Sequence, residues 1–133
     1  MKIFLPIYIF LVGAIALHLF QDKELQASME RGKEIYQDFC VTCHLPSGEG
    51  VANTFPPLAG SDYLLEKRES SIRAVKFGQQ GEIVVNGVTY DNMMMNMGLE
   101  DEEVADVLNY ILHSWGNEGG AMVTVEEVSA VSQ

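Results

Sequence analysis

The sequence predicts an all-α domain of four to five helices, interrupted by one long irregular loop and one small β-hairpin. Its two strongest helical segments lie at about 28–39 and 100–115, where apolar residues recur at helical spacing. Between them, proline and glycine residues crowd the stretch 46–60, which predicts a compact loop. The length of 133 residues allows one domain of ordinary size.

The first 20 residues predict a leader. Lys2 precedes a run at 3–20 in which every residue except His18 is apolar, aromatic, glycine or proline. A basic start before an apolar run is typical of a secretory signal or a membrane anchor, and Pro6 disfavours a third interpretation, a buried core helix. The small-x-small pattern Ala14-Ile15-Ala16 favours signal cleavage; the alternative is a retained anchor, because the run is roughly long enough to span a bilayer. Either route places the remainder on the exported, periplasmic side.

Residues 21–27 form a polar segment that predicts a linker, followed by the main domain at 28–117. Ser28 is a plausible N-cap for the first helix of that domain. Two short helices are predicted at 61–67 and at 70–77, the second ending at Gly78.

The second half of the chain begins with a hairpin signal. The apolar runs 83–85 and 88–90 flank Asn86-Gly87, a typical two-residue turn. The helix at 100–115 follows, with acidic residues in its first turn that complement the helix dipole. The tail at 118–133 predicts one short helix, opened by Thr124 with Glu127 as a capping box.

The chain is strongly acidic, with a formal net charge of −11 from 19 acidic and 8 basic side chains. Nucleic acid is excluded as a partner because phosphate binding requires clustered Lys and Arg. The negative field favours redox partners that present a basic docking surface. A monomer is expected.

The chain has only two cysteines, and they form the motif Cys40-Val41-Thr42-Cys43-His44. Two thiols at this spacing can add to the two vinyl groups of one haem, and the next residue can bring an imidazole to the iron, so the motif predicts one covalent haem c. Three alternatives remain open: a thioredoxin-like redox pair, which requires a βαβ context; a disulfide, which would close a loop of only two residues; and structural zinc, which requires four ligands.

From 28 to 115 the chain resembles the class I cytochrome c family. The resemblance is carried by five segments in order: Gly32-x-x-x-Tyr36, the cysteine motif, Phe55-Pro56-Pro57-Leu58-Ala59-Gly60, a methionine segment, and Val107-Leu108-Asn109-Tyr110-Ile111. It implies the cytochrome c fold around one covalent haem, with Cys40 and Cys43 as attachment points and His44 as an axial iron ligand.

The same resemblance implies a methionine as the second axial ligand. Similar cytochromes place it four residues after an aromatic residue and four before a glycine, and Tyr90 and Gly98 both select Met94. The family usually has proline after that methionine, whereas this chain has Met95. The alternatives are Met93, Met95 and Met97.

The resemblance also implies a role for Pro56, whose carbonyl would accept the second ring N–H of His44 and fix the orientation of the imidazole. The alternative is that Pro56-Pro57 only stiffens a turn. His113 lies beside the apolar stripe of the last helix and is expected to be partly exposed, not to be a ligand.

These features together predict an electron carrier, not an enzyme: a mono-haem cytochrome with His/Met ligation that moves single electrons between exported or membrane-bound redox partners. Two alternatives remain. One is a cytochrome subunit of a dehydrogenase or respiratory complex, anchored through residues 1–20. The other is a five-coordinate haem protein that binds or senses small ligands.

Overall fold

A computed structural model describes residues 4–133, with side chains from residue 7 onward; Lys2 and Ile3, at the start of the predicted leader, lie outside this range. The elements in chain order are α1 (Phe4–Ile35), a π-helical turn (Tyr36–Cys40), α2 (Val41–His44), α3 (Asp62–Glu66), α4 (Arg68–Phe77), β1 (Ile83–Val85), β2 (Val88–Tyr90), α5 (Asp101–Leu112) and α6 (Val125–Ala130). The predicted all-α fold with one small antiparallel hairpin is confirmed.

The first helix begins much earlier than predicted, because α1 runs without a break through 21–27. That segment reads Gln-Asp-Lys-Glu-Leu-Gln-Ala and contains mostly good helix formers, so nothing in it stops a helix. The prediction of Ser28 as an N-cap is therefore wrong. Ser28 is instead buried inside α1, where its hydroxyl donates to Asp106 Oδ1 at 2.6 Å.

The apolar part of α1 does not pack into the domain. Its large side chains are exposed all round the helix, from Ile7 at 52 % to Phe10 at 77 % and Phe20 at 61 %, which excludes the buried core helix. Of the helices whose side chains are described, none is both long and apolar enough to cross a bilayer.

The domain is built on the crossing of α1 and α5. Gly32 lies at the contact, where a Cβ atom would overlap the backbone carbonyl of Asp106, so only glycine permits this approach. The Asp106 carboxylate is buried, and it accepts two hydrogen bonds from Arg31, at 2.6 and 2.7 Å, besides that from Ser28. The buried Asp106 carboxylate at the crossing of α1 and α5 is thus fully paired.

The middle elements follow the predictions closely. Ser61 caps α3 by accepting from Leu64 N at 3.1 Å, and α4 ends at Gly78, whose φ is +87°. The hairpin pairs Ile83 with Tyr90 and turns at Asn86-Gly87, with both turn residues at positive φ.

The capping boxes are distributed differently from the prediction. In α6, Thr124 accepts from Glu127 N at 3.2 Å, but the Glu127 carboxylate binds Arg68 and does not return to the N-cap. The reciprocal pair is found in α5, between Glu100 and Glu103.

The C-terminal tail packs against α4 and α5. Val123, Val128 and Val131 belong to the hydrophobic core that also contains Tyr36, Leu108 and Ile111. Three basic residues of α4 hold the tail in place. Arg68 donates to Ala121 O, Met122 O and Glu127; Arg73 donates to Ser132 O; and Lys76 donates to Val128 O.

Candidate functional site

The cysteine motif lies on a change of helical pitch. The π-helical turn ends at Cys40, and α2 carries Cys43 and His44 before the chain leaves the helix at Leu45. Single π-helical turns occur frequently at functional sites because they shift the direction of the following side chains. Cys40, Cys43 and His44 all line one mainly apolar cavity of about 300 Å³.

His44 is buried and held in one orientation. Its Nδ1 lies 3.0 Å from the carbonyl oxygen of Pro56, and since a carbonyl can only accept, Nδ1 carries the proton. Burial lowers the pKa of His44, with the Pro56 bond opposing the shift, so the ring is neutral at pH 7. A neutral imidazole protonated at Nδ1 keeps its Nε2 lone pair for a metal.

The two thiols are both free, without a disulfide between them. Burial, followed by the nearby Cys43, raises the pKa of the Cys40 thiol to about 11. A redox-active cysteine pair requires a lowered pKa, and the motif is flanked by helix and loop without a βαβ unit. The thioredoxin-like alternative therefore does not fit this site.

The methionine segment contributes to the same cavity, which Met93, Met94, Met95 and Met97 all line. Met94 is half-buried, whereas Met93 and Met95 are 60 % and 65 % exposed and Met97 is 36 % exposed. The backbone of Met94 is also fixed, because its N–H and C=O both bond to Gln79 at 2.9 Å.

Two asparagines support the site, and sequence reasoning did not assign them this role. Asn117 donates to Leu58 O and Ile111 O and accepts from Gly60 N, so it ties the loop that follows Pro56 to the end of α5. Asn92 donates to Thr54 O and joins the methionine segment to the part of the loop that precedes Pro56. For Asn117, the position close after a helix was a signal; Asn92 follows a strand and had none.

His113 is partly exposed, as predicted, and its ring nitrogens lie 2.9 Å from Asn109 O and 3.1 Å from Gly120 O. The ring therefore faces backbone carbonyls away from the cavity. The chemistry of the cavity fits a haem: two free thiols, a neutral imidazole and thioether sulfurs surround an interior lined largely by apolar side chains.

Comparisons with known proteins agree with this geometry. The cytochrome c family model matches residues 29–115. The chain is 40 % identical over 106 residues to a cytochrome c-552 of Thermus thermophilus, a match that covers 73 % of this chain and 80 % of the relative.

Larger relatives match over part of their length. The chain is 32 % identical to the cytochrome c subunit of a quinone-type alcohol dehydrogenase from Gluconacetobacter polyoxogenes, covering 74 % of this chain and 21 % of that subunit. It is 30 % identical to the gluconate 2-dehydrogenase cytochrome c subunit of Pantoea cypripedii, covering 77 % of this chain and 24 % of that subunit. With the family model matching over most of its length, this chain belongs to the cytochrome c family and carries the covalently attached haem c of that family.

Proposed function

We propose that this protein is a mono-haem electron carrier in which Cys40 and Cys43 attach the haem and His44 and Met94 ligate the iron. The observation that carries the proposal is the hydrogen bond between His44 Nδ1 and Pro56 O, in a cavity that Cys40, Cys43 and Met94 also line. The bound haem supplies a reversible one-electron iron couple.

His44 and Pro56 act together in this proposal. The Pro56 carbonyl accepts a hydrogen bond from Nδ1, so the Nε2 lone pair of His44 would remain free for the iron and the imidazole would become a stronger donor. Because the ring is already buried and neutral, it needs neither deprotonation nor reorientation to act as a ligand.

Met94 provides a thioether sulfur as the second iron ligand in this proposal. A thioether is a soft ligand, which favours the reduced state and raises the reduction potential. If His44 and Met94 both held the iron, no coordination position would be open for a substrate, and the haem would supply electron exchange alone. The two hydrogen bonds of Met94 to Gln79 fix its backbone, so little must move between oxidation states.

The cellular context is also a proposal. Residues 1–20 act as an export signal, residues 21–27 link it to the cytochrome domain at 28–117, and residues 118–133 form the tail. The protein then works as a periplasmic monomer whose redox partners dock through basic surfaces, in accord with its net charge of −11.

The four methionines allow a matched test of the ligand assignment. Met94→Leu removes the only sulfur that we assign to iron, whereas Met93→Leu, Met95→Leu and Met97→Leu make the same change at more exposed positions. Met94→Leu is expected to abolish the Met-to-iron charge-transfer band of the oxidised holoprotein and to allow the reduced protein to bind carbon monoxide. The other three variants should keep the wild-type spectrum.

Loss of that band in Met93→Leu, Met95→Leu or Met97→Leu, with Met94→Leu unaffected, would reassign the ligand. Carbon monoxide binding by the wild-type reduced protein would support the five-coordinate alternative instead. A pyridine haemochrome spectrum of the same preparations reports whether both thioether bonds to Cys40 and Cys43 have formed.

A second candidate function is that of a cytochrome subunit in a membrane dehydrogenase complex. It is favoured by the exposed apolar start of α1, which continues into the domain without a break, and by the similarity to dehydrogenase cytochrome subunits. N-terminal sequencing of the mature protein separates the two: a new N-terminus near residue 17 supports the free carrier, and a retained leader supports the subunit.

A further inference from the structure

Three aromatic rings form a cluster behind the haem-attachment motif. Tyr36, Tyr110 and Trp115 lie with ring centroids 5.2 to 5.7 Å apart. The described lining of the haem cavity includes none of them. Any influence of this cluster on the iron must therefore act through the residues that the three rings contact or hydrogen-bond.

Two of the rings donate hydrogen bonds to the segment that directly follows His44. The Tyr36 hydroxyl donates to Leu45 O at 2.7 Å, and Trp115 Nε1 donates to Pro46 O at 3.2 Å. Tyr36 is only 1 % exposed, and burial raises the pKa of its hydroxyl above its usual range, so it remains a donor at any physiological pH.

The Trp115 ring also packs on Gly48. The φ of Gly48 is +67°, and a Cβ atom there would lie 2.5 Å from the ring, so both the conformation and the space require glycine. The Gly48 carbonyl in turn accepts from Leu58 N and Ala59 N, at 2.7 and 2.9 Å, just beyond Pro56. The indole thus contacts the segment that follows His44, and the Gly48 carbonyl in turn joins that segment to the one that follows Pro56.

Two residues that take part in or adjoin these contacts, Leu45 and Trp115, have an uncommon backbone conformation. Leu45 has φ +63° and Trp115 has φ +54°, in the left-handed region that residues with a Cβ seldom adopt. Such conformations persist only where the surrounding structure holds them. The hydrogen bonds from Tyr36 and Trp115 supply that constraint.

We infer that Tyr36 and Trp115 are positioning residues that set the geometry of the His44–Pro56 hydrogen bond and thereby tune the reduction potential. This inference rests on the proposed role of His44 as an iron ligand. The bond makes the imidazole a stronger donor, which stabilises the oxidised iron. Removing the hydrogen bond of Tyr36 or Trp115 should therefore weaken the His44–Pro56 bond and move the reduction potential to more positive values.

The test uses the reduced holoprotein and three conservative variants. Tyr36→Phe removes only the hydroxyl, and Trp115→Phe removes the indole N–H while keeping an aromatic ring. Tyr110→Phe is the matched control, because Tyr110 belongs to the same cluster but its hydroxyl makes no hydrogen bond within the described part of the chain.

Exchange of the His44 Nδ1 proton with solvent, followed by NMR, is the direct readout. In Tyr36→Phe and Trp115→Phe, exchange should accelerate roughly 2- to 10-fold, the change that loss of one typical protein hydrogen bond produces. The reduction potential should rise in the same variants, and neither quantity should change in Tyr110→Phe. Urea unfolding of all three separates these effects from general loss of stability.

If Tyr36→Phe and Trp115→Phe lower stability but leave proton exchange and potential as in Tyr110→Phe, the cluster is structural and the inference is overturned. If Trp115→Phe does not fold, Tyr36→Phe alone tests the inference, because Tyr36→Phe removes only one oxygen atom and is expected to fold. Failure of the proposed ligation would appear differently, as a wild-type protein without the NMR signals of an iron-bound imidazole.

Discussion

Gly32 lies on the buried face of α1, where the helix backbone contacts the main chain of α5 at Asp106. Gly32→Ala would gain about 1 kcal/mol of helix propensity but would force a collision with a backbone carbonyl, which no side-chain rotation relieves. Separating the helices also weakens the bonds of Arg31 and Ser28 to Asp106.

We therefore expect Gly32→Ala to lower the free energy of unfolding by roughly 2 kcal/mol or more, measured by guanidinium denaturation of the holoprotein. Glu30→Ala, an exposed change on the same helix, is the control and should stay within about 0.5 kcal/mol of wild type. Equal stabilities for the two variants would show that the helices separate without loss of packing.

Single residues also show what a sequence can and cannot predict. The cysteine motif was identifiable because its spacing reflects local geometry, and Gly32 because it belongs to a segment that carries the family resemblance. Asn109 was not, since its role depends on distant residues: it is fully buried, donates to Ser28 Oγ and Val123 O, and accepts from Val123 N. No local pattern distinguishes such an asparagine from an exposed one.

At the level of elements, the C-terminal tail is the clearest case of packing that was not predicted. The sequence predicted its short helix, and the structure shows that this helix completes the core: Val128 is fully buried while Val125 is 41 % exposed. The two valines occupy one helix of six residues and differ mainly in burial.

Val128→Ala should therefore lower the free energy of unfolding by roughly 1–3 kcal/mol, through lost apolar burial and the cavity that remains. Val125→Ala should change it by less than about 0.5 kcal/mol. Thermal denaturation of the two holoproteins, followed by circular dichroism, makes the comparison. Similar melting temperatures for both would mean that the tail contributes little to the stability of the domain.

The errors at element boundaries have definite physical causes. The start of α1 was misplaced because a change from apolar to polar composition does not stop a helix when the polar residues are themselves helix formers. The capping box was assigned to Thr124 and Glu127 from a local rule, but Arg68, 59 residues away, binds the Glu127 carboxylate instead. The bidentate bond to Arg68 is a tertiary contact, which that rule does not include.

On the scale of the whole molecule, the net charge is the property on which the proposed basic surfaces of the partners rest. The net charge is −11, and four basic side chains already form salt bridges within the chain: Arg31 with Asp106, Arg68 with Glu127, Arg73 with Glu69 and Lys76 with Asp101. These pairs leave an excess of acidic side chains to set the field that an approaching molecule experiences.

Two small redox reagents of opposite charge test this field without a physiological partner. Electron exchange with hexaammineruthenium(III), a cation, should slow as salt is added, because screening removes an attraction that extends about 10 Å at 0.1 M ionic strength. Exchange with ferricyanide, an anion, should speed up over the same range. Stopped-flow rates between about 0.01 and 0.5 M salt give both slopes, across the range in which the screening length shortens several-fold. If both reagents showed the same salt dependence, the field at the haem edge would not follow the net charge. That result would contradict the proposal that the partners dock through basic surfaces.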